Sequence, residues 1–251
     1  MYKIKVFEEE FLFEWENDLI LTLINIKKYW EEQKNFIIWN ILMQLDYKLK
    51  KIIKTSDWLI KILKLLDERK SLLFLSKIGD NLYKIIDNSQ NLAEILARFS
   101  SNKWYKTQII YHLRERWLKY LIRNSEDFIN TVSWLYWNAE NKIFELLEYS
   151  FIDKLFSNSK DISKVLYYLT YKNKKLFIEI LWYEKIKNTI FHFYDLSSLI
   201  KIFPEDIWIE FLEFIWKERI LELFEFEKDF YDFLLSLPKS KEKIFLNFLK
   251  K

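Results

Sequence analysis

Apolar and polar positions along this chain follow the period of an α-helix, and the same pattern returns with a second, longer period of about 34 residues. One copy, from Gly79 to Phe99, reads GDNLYKIIDNSQNLAEILARF. Its apolar residues stand at i, i+3, i+4 and i+7: Leu92, Ile95, Leu96 and Phe99. This spacing places them on one stripe of a helix, so each copy is predicted to contain an amphipathic helix that buries one face.

One apolar position in each copy serves as an anchor for aligning the repeats. The six anchors are Leu59, Leu92, Phe128, Ile162, Leu196 and Phe230. Successive anchors differ in residue number by 33, 36, 34, 34 and 34. Six copies at one period indicate a helical-repeat protein.

Polar residues mark both ends of each anchor helix. Four serines stand three residues before their anchors, and we expect each hydroxyl to cap its helix: Ser56, Ser89, Ser125 and Ser159. A polar break follows the stripe, as at residues 170–172. Pro204 and Pro238 fall in this same break, where the start of the next helix tolerates a missing N–H. A second helix and a short apolar segment are predicted after each break.

The pattern predicts an all-α fold, an α-solenoid of about six repeats, each with two helices and a short third one. The repeats, each about 33–36 residues long, are predicted to occupy residues 48–251, behind an irregular N-terminal cap or degenerate repeat at residues 1–47. A helix with one apolar stripe cannot bury that stripe alone, but stacked neighbours can bury it together. We expect the binding surface to be the concave face, lined by one helix of each repeat.

The composition of the chain mainly excludes several classes of fold and of site. With one Gly and two Pro, the chain lacks the residues that hairpins and phosphate-binding loops need. It has no Cys, which excludes disulfides and thiolate metal sites. The N-terminal sequence does not resemble a signal peptide, and charge-free runs such as residues 36–45 are shorter than the roughly 20 residues of a membrane helix. We therefore expect a soluble cytoplasmic protein without a membrane span, with secretion lacking a cleavable signal as the alternative.

Charge is balanced overall, at a formal +3, but unevenly distributed. Residues 205–232 carry ten acidic and three basic side chains, whereas residues 46–80 carry nine basic and five acidic ones. Such a chain is predicted to bind a protein partner along one face or to stack end to end. The C-terminal stripe Ile244, Phe245, Phe248 and Leu249 has no polar cap after it, which also indicates a longer chain or self-association.

Residues that suggest chemistry are few and scattered. The two histidines, His112 and His192, stand in different repeats without a carboxylate marked by spacing. The acidic runs Glu8 to Glu10 and Glu205-Asp206 are typical of solvated helix starts. We expect no catalytic residue, no cofactor and no metal site, and hence a non-enzymatic protein.

Two segments interleave basic and aromatic residues, a combination that suits RNA because aromatic rings stack on bases while cations meet phosphates. They are Lys103-Trp104-Tyr105-Lys106 and the run RERWLK from Arg114 to Lys119. RNA binding is therefore the alternative function. Against it, no polar column recurs in every repeat, and the acidic C-terminal third would repel a phosphate backbone.

The repeat also resembles a class of helical repeats in large proteins of intracellular bacteria, including effectors of Legionella type. The matching places are Gly79-Asp80, Leu82, Ser89 to Leu92, Ile95-Leu96, Phe203-Pro204-Glu205 and Phe211-Leu212. No single copy matches all of these places, and the resemblance covers about residues 48–251. It implies a protein-interaction scaffold, host-directed in one interpretation, and it carries over no catalytic residue.

One feature of the composition does not fit the rest. The chain has 11 Trp and one Gly beside an excess of Lys, Ile, Asn, Phe and Tyr, which is typical of AT-rich coding, although the usual Trp codon is GC-rich. Trp182 and Trp216 fall in the interhelix turn where the second copy has Gly79, and Trp137 falls in a polar break. We hypothesise that the source reads UGA as a sense codon, either as Trp or as Gly.

Overall fold

The computed structural model describes residues 2–6, 9–13, 16–26, 31–45, 48–99 and 103–250. The prediction of an all-α fold is confirmed, since most of this part of the chain is helical and its sheet is limited to two short strands. The chain divides into two compact units, Met1–Ile122 and Arg123–Lys251. The boundary predicted at residue 47 lies inside the first unit and stays a prediction.

A two-stranded antiparallel hairpin opens the first unit, with Ile4 paired to Phe11. Its strands are β1 (Tyr2–Val6) and β2 (Glu9–Phe13). The low Gly content predicts against a sheet-rich fold, and this one hairpin is the only sheet among the described residues. The reason that it forms is the period-two alternation in β1, which buries Ile4 and Val6 while β1 packs against the helix at Glu31–Leu45.

The first unit continues through eight helices in the described residues. These are α1 (Glu16–Asn25), α2 (Glu31–Leu45), α3 (Leu49–Ile52), α4 (Ser56–Leu65), α5 (Glu68–Ile78), α6 (Leu82–Ile85), α7 (Ser89–Ala97) and α8 (Lys103–Leu121). A single 3₁₀ turn at Gly79–Asn81 joins α5 to α6. Helix α8 is interrupted at Arg114, whose φ of 61° and ψ of 161° are not helical.

The second unit contains ten further helices in the described residues. These are α9 (Ser125–Val132), α10 (Trp137–Leu146), α11 (Tyr149–Leu155), α12 (Ser159–Tyr168), α13 (Tyr171–Lys187), α14 (Phe193–Ile202), α15 (Glu205–Ile215), α16 (Lys217–Leu221), α17 (Glu227–Ser236) and α18 (Lys239–Lys250). Helix α13 is interrupted at Trp182. Anchor helices contact one another in chain order, α9 with α12, α12 with α14 and α14 with α17.

The anchor residues lie where the pattern predicts them. Five of the six are fully buried, at 0% exposure: Leu59, Leu92, Phe128, Ile162 and Leu196. Burial of one such side chain contributes about 1.5–3 kcal/mol. Phe230 is only half-buried, since α17 has a neighbouring anchor helix on one side alone within the described residues.

The predicted serine caps are wrong by one residue. The cap positions are taken by Thr55, Asn88, Asn124 and Asn158. Each of the three asparagines accepts the backbone N–H three residues on, at 2.8–2.9 Å. The amide oxygen of Asn reaches these N–H groups from an extended cap residue, which leaves the serine as the first residue of the helix.

The serine hydroxyls bond to the next repeat instead. Ser56 donates to Asp87 at 3.0 Å, and Ser125 donates to Asp161 at 2.6 Å. Ser159 donates to Asp195 at 2.5 Å in the same way. Within each unit these bonds join the start of one anchor helix to the start of the next, so they fix how neighbouring anchor helices align.

Candidate functional site

A groove of about 530 Å³ lies between the neighbouring anchor helices α12 and α14 of the second unit. We call it the lysine groove. Its lining residues are Ser159, Lys160, Ser163, Lys164, Tyr167, Tyr194, Asp195, Ser198, Lys201 and Ile202. The groove is open along its length, so it suits an extended chain better than a small enclosed ligand.

Helix α12 supplies one wall of the lysine groove through a single helical face. Lys160, Lys164 and Tyr167 stand at i, i+4 and i+7, so they project from the same side of the helix. All three are exposed, and Tyr167 shows 70% of its surface to solvent. This wall therefore offers two ammonium groups and one aromatic ring.

Helix α14 supplies the opposite wall with the same spacing. Tyr194, Ser198 and Lys201 stand at i, i+4 and i+7, and Tyr194 is 65% exposed. Asp195 also lines the groove, but its carboxylate is already engaged. It accepts the hydroxyl of Ser159 and the backbone N–H groups of Phe191 and His192. It therefore adds little to what a ligand would meet.

Ser163 lies at the floor of the lysine groove and is 6% exposed. Its hydroxyl makes no hydrogen bond to any residue that the structure describes. The equivalent serine one repeat later, Ser197, is also buried but bonds to Ser236 at 2.6 Å. A buried hydroxyl without a hydrogen bond costs about 1–3 kcal/mol of stability. A ligand in the groove that bonds to Ser163 would recover this cost.

The three lysines of the groove form no ion pair with a described residue. The corresponding groove between α4 and α7 in the first unit differs in this respect. There Lys64 pairs with Glu94 at 2.6 Å, and Arg98 donates to the carbonyl of Leu63 at 3.1 Å. The lysine groove thus keeps its positive charge, whereas Glu94 neutralises that of Lys64 in the groove between α4 and α7.

A second groove of about 480 Å³ lies between α13 and α15, but its polar groups bond mainly to each other. Lys175 pairs with Asp206, which also accepts the hydroxyl of Tyr171 at 2.9 Å. The bond to Lys175 is the main reason that the pKa of Asp206 is lowered. Burial and the nearby carboxylate of Glu210 raise the pKa of Tyr183 to about 12. These satisfied pairs leave little for a ligand to bond.

The side chains of the lysine groove are suited to binding an acidic ligand. Ammonium groups attract carboxylates, tyrosine rings contact apolar side chains, and the Ser163 hydroxyl donates to a carbonyl or carboxylate oxygen. Among the described residues that line it, Asp195 has the one carboxylate, and its oxygens already accept hydrogen bonds.

The structure separates the residues that the sequence raised as candidates for chemistry. His112 belongs to α8 in the first unit, and His192 is the exposed residue before α14 in the second. Glu205 and Asp206 start α15, where Asp206 pairs with Lys175. Glu8 lies outside the described residues. No cluster of three or more His, Cys, Asp or Glu suited to a metal occurs in the described part of the chain.

One residue in each of the two basic and aromatic segments of the first unit has a structural role. Lys106 is buried at 1% exposure, and this burial lowers the pKa of its ammonium group, although Glu68 opposes the effect. Trp117 donates its indole N–H to the carbonyl of Ile86 at 3.1 Å. Trp104 and Arg116 of the same segments are exposed, Trp104 at 59%.

Sequence reasoning missed the lysine groove because its residues are spread over two repeats. The signal that could have found it is a comparison of the exposed positions of successive anchor helices. At those positions α12 and α14 carry lysine and tyrosine, whereas α9 carries Glu126 and Asn130. The unpaired hydroxyl of Ser163 is visible only in the structure.

No helix in the described ranges is long and apolar enough to cross a membrane. A comparison with known proteins finds no matching protein-family model, no similar curated protein and no similar solved structure. The resemblance to repeats of Legionella-type effectors therefore stays a prediction.

Proposed function

We propose that this chain is a cytoplasmic, non-enzymatic helical-repeat scaffold that binds an acidic, extended segment of a partner protein in the lysine groove. The observation that carries the proposal is one open groove with three lysines and a buried serine hydroxyl, none of which has a partner among the described residues. Charge complementarity selects an acidic ligand, and the shape of the groove selects an extended one.

An α-solenoid of about six repeats is the architecture that this proposal assumes. In its support, anchor helices begin at residues 56, 89, 125, 159, 193 and 227, which repeats the spacing of the anchors. Ser–Asp bonds recur between successive anchor helices within each unit. Stacked repeats present one helix each to a common face, on which grooves such as this one recur.

A protein segment fits the surroundings of the groove better than RNA does. A nucleic acid backbone needs basic residues at regular intervals along its path. The column that contains Lys160 reads Glu126, Lys160, Tyr194 and Lys228 in the second unit, and that of Lys164 reads Asn130, Lys164, Ser198 and Asp232. Along these two columns of the second unit, two neighbouring lysines occur on α12 alone, and this favours a short acidic segment over a long nucleic acid backbone.

The experiment is selection of a phage-displayed library of random linear peptides on the intact chain. We expect enrichment of Asp and Glu together with an apolar residue, because the groove combines ammonium groups with tyrosine rings. A selected peptide should lose at least about tenfold in affinity for the K160E/K164E variant, because two attractive charges become repulsive. A tenfold loss corresponds to about 1.4 kcal/mol of binding free energy. Isothermal titration calorimetry measures this loss.

The matched control is Lys172→Glu, which reverses an exposed lysine outside the groove and should leave peptide affinity within about twofold. Peptides without acidic enrichment, or equal binding by K160E/K164E and Lys172→Glu, would contradict the proposal. Salt-sensitive binding of single-stranded poly(U) that K160E/K164E abolishes would replace the protein partner with RNA.

A further inference from the structure

Three non-glycine residues in the described part of the chain have a positive φ, and two of them are tryptophans. Trp182 has φ 58° and ψ 147°, and Trp216 has φ 72° and ψ 141°. This conformation lies next to a region of backbone space that is essentially confined to glycine, because a Cβ atom clashes there. Both tryptophans therefore stand where an L residue is strained.

The same place in the repeat is occupied by the one glycine of the chain. Gly79 has φ 53° and ψ −131°, so it shares the positive φ of the two tryptophans but not their ψ. Position 216 follows position 182 by one period of the repeat. A Cβ atom added to Gly79 would meet Lys50 Nζ at an ordinary 3.9 Å. The backbone angle, and not lack of space, is thus what requires glycine in this turn.

Two other repeats have a residue other than glycine in the corresponding turn. Arg114 takes it with φ 61°, so an L residue is tolerated there under strain. At Glu148, the corresponding residue between α10 and α11, φ is an ordinary −63°. The backbone alone therefore does not identify glycine at positions 182 and 216, and a second observation is needed.

That observation is the exposure of the two indoles. Trp182 is 75% exposed and Trp216 is 71% exposed, so little packing offsets the strain of their backbones. Elsewhere in the chain a tryptophan has a structural role, since Trp117 donates its indole N–H to Ile86 at 3.1 Å. Large apolar side chains that are both strained and exposed gain nothing from the fold.

Composition supplies the third observation. The chain has 11 Trp and one Gly, whereas average usage of about 7% predicts roughly 18 glycines in a chain of this length. UGA differs from the glycine codon GGA by one base and is read as tryptophan in some genetic codes. A single reassignment would therefore add tryptophans and remove glycines together.

We propose that positions 182 and 216 are glycines in the native protein, encoded by UGA codons that the source organism reads as glycine. Trp137 is not included, because it begins α10 as a helical residue. The proposal is independent of the lysine groove, which neither residue lines. It does remove Trp182 from the wall of the groove between α13 and α15, and so argues against a ligand there.

The first test reads the codons and the native protein. We expect UGA at both positions in the gene. Tryptic peptides 176–185 and 202–217 from protein isolated from its source should each be lighter by the mass difference between Trp and Gly. UGG codons, or UGA codons with tryptophan in the peptides, would overturn the proposal.

The second test compares glycine with alanine at one site in the intact chain. Trp182→Gly and Trp216→Gly should each raise the Tm above that of the matching alanine variant by roughly 2–4 °C or more, because alanine keeps the Cβ that the turn excludes. In the middle of a helix the order is reversed, and Ile178→Gly should melt below Ile178→Ala.

The alanine variants separate the backbone effect from loss of the indole, since both substitutions remove the ring. Gly79→Ala should lower the Tm for the same reason that Trp182→Gly should melt above Trp182→Ala. A glycine variant that melts at or below its alanine counterpart at both positions would show that the turn does not require glycine, and the proposal would fail.

Discussion

At the scale of single residues, the fold depends on polar groups that join one repeat to the next. Asp195 accepts the hydroxyl of Ser159 through one oxygen and the N–H groups of Phe191 and His192 through the other. It thus satisfies backbone N–H groups at the start of α14 and also bonds to α12, the preceding anchor helix. Asp87 in the first unit also accepts a serine hydroxyl from the preceding anchor helix, but it lies before the cap residue Asn88. Its burial raises the pKa, but hydrogen bonds from Asn91 and Ser56 outweigh this effect and lower it.

Removal of the Asp195 carboxylate should destabilise the second unit. We expect Asp195→Ala to lower the free energy of unfolding by about 1–3 kcal/mol, because a cap and an inter-repeat bond are lost together. Urea denaturation followed by circular dichroism measures the change. Glu225→Ala removes an exposed carboxylate from the same unit and should change stability by less than about 0.5 kcal/mol. Equal effects of the two substitutions would contradict the role of Asp195.

At the scale of helices, side chains from one repeat also satisfy the last carbonyls of another. Lys241 in α18 donates to the carbonyls of Lys201 at 3.2 Å and Phe203 at 2.8 Å, at the end of α14. Burial lowers the pKa of its ammonium group, and Glu205 opposes the effect. In the first unit Arg98 does the same for α4 through the carbonyl of Leu63. The last carbonyls of a helix have no partner inside that helix, so these bonds stabilise its end.

Replacement of Lys241 by an apolar side chain tests how much these bonds to the end of α14 stabilise the protein. Lys241→Met keeps most of the packing volume but leaves the carbonyls unpaired, and we expect a loss of about 1–3 kcal/mol in the free energy of unfolding. Lys241→Arg should retain most of the stability, since its guanidinium still donates. The control is Lys243→Met, at an exposed position two residues away. If Lys241→Met and Lys243→Met unfold at the same urea concentration, the bonds contribute nothing measurable.

At the scale of the whole molecule, the important feature is that successive anchor helices within each unit contact their neighbours in chain order. If these are true repeats, their stability is approximately a sum of repeat and interface contributions. One internal repeat can then be removed, and the following repeat can take its place. This is because the following repeat offers an equivalent buried stripe and equivalent Ser or Asp groups to the repeat before it. A domain with one irregular core lacks this property.

Deletion of one complete period tests this. Removal of residues 158–191 takes out one full period and joins Ser157 to His192, so that one cap position replaces another. We expect the shortened chain to keep its helical signal per residue and to melt cooperatively.

The matched control deletes residues 158–174, which removes α12 and leaves most of α13 without its partner helix. This half-period variant should lose helical signal and stability. An unfolded full-period variant, or two variants that behave alike, would contradict a repeat architecture.

The sequence by itself determined the all-α class and the burial of five of the six anchors, because helical periodicity and a fixed spacing are written in the order of residues. It also located the turn at Trp182 and Trp216 by register with Gly79. It did not predict the pairing of β1 with β2, in which β1 packs against α2 and β2 packs against α1.

Only the tertiary structure decided which polar side chains meet. The serines were expected to cap their own helices, yet Ser159 bonds to an aspartate in the following repeat because neighbouring anchor helices lie side by side. The lysine groove arises in the same way, since α12 and α14 bring Lys164 and Lys201 to one groove across two repeats. Local spacing fixes which face of a helix a side chain occupies, whereas its partner depends on how that helix packs against the next.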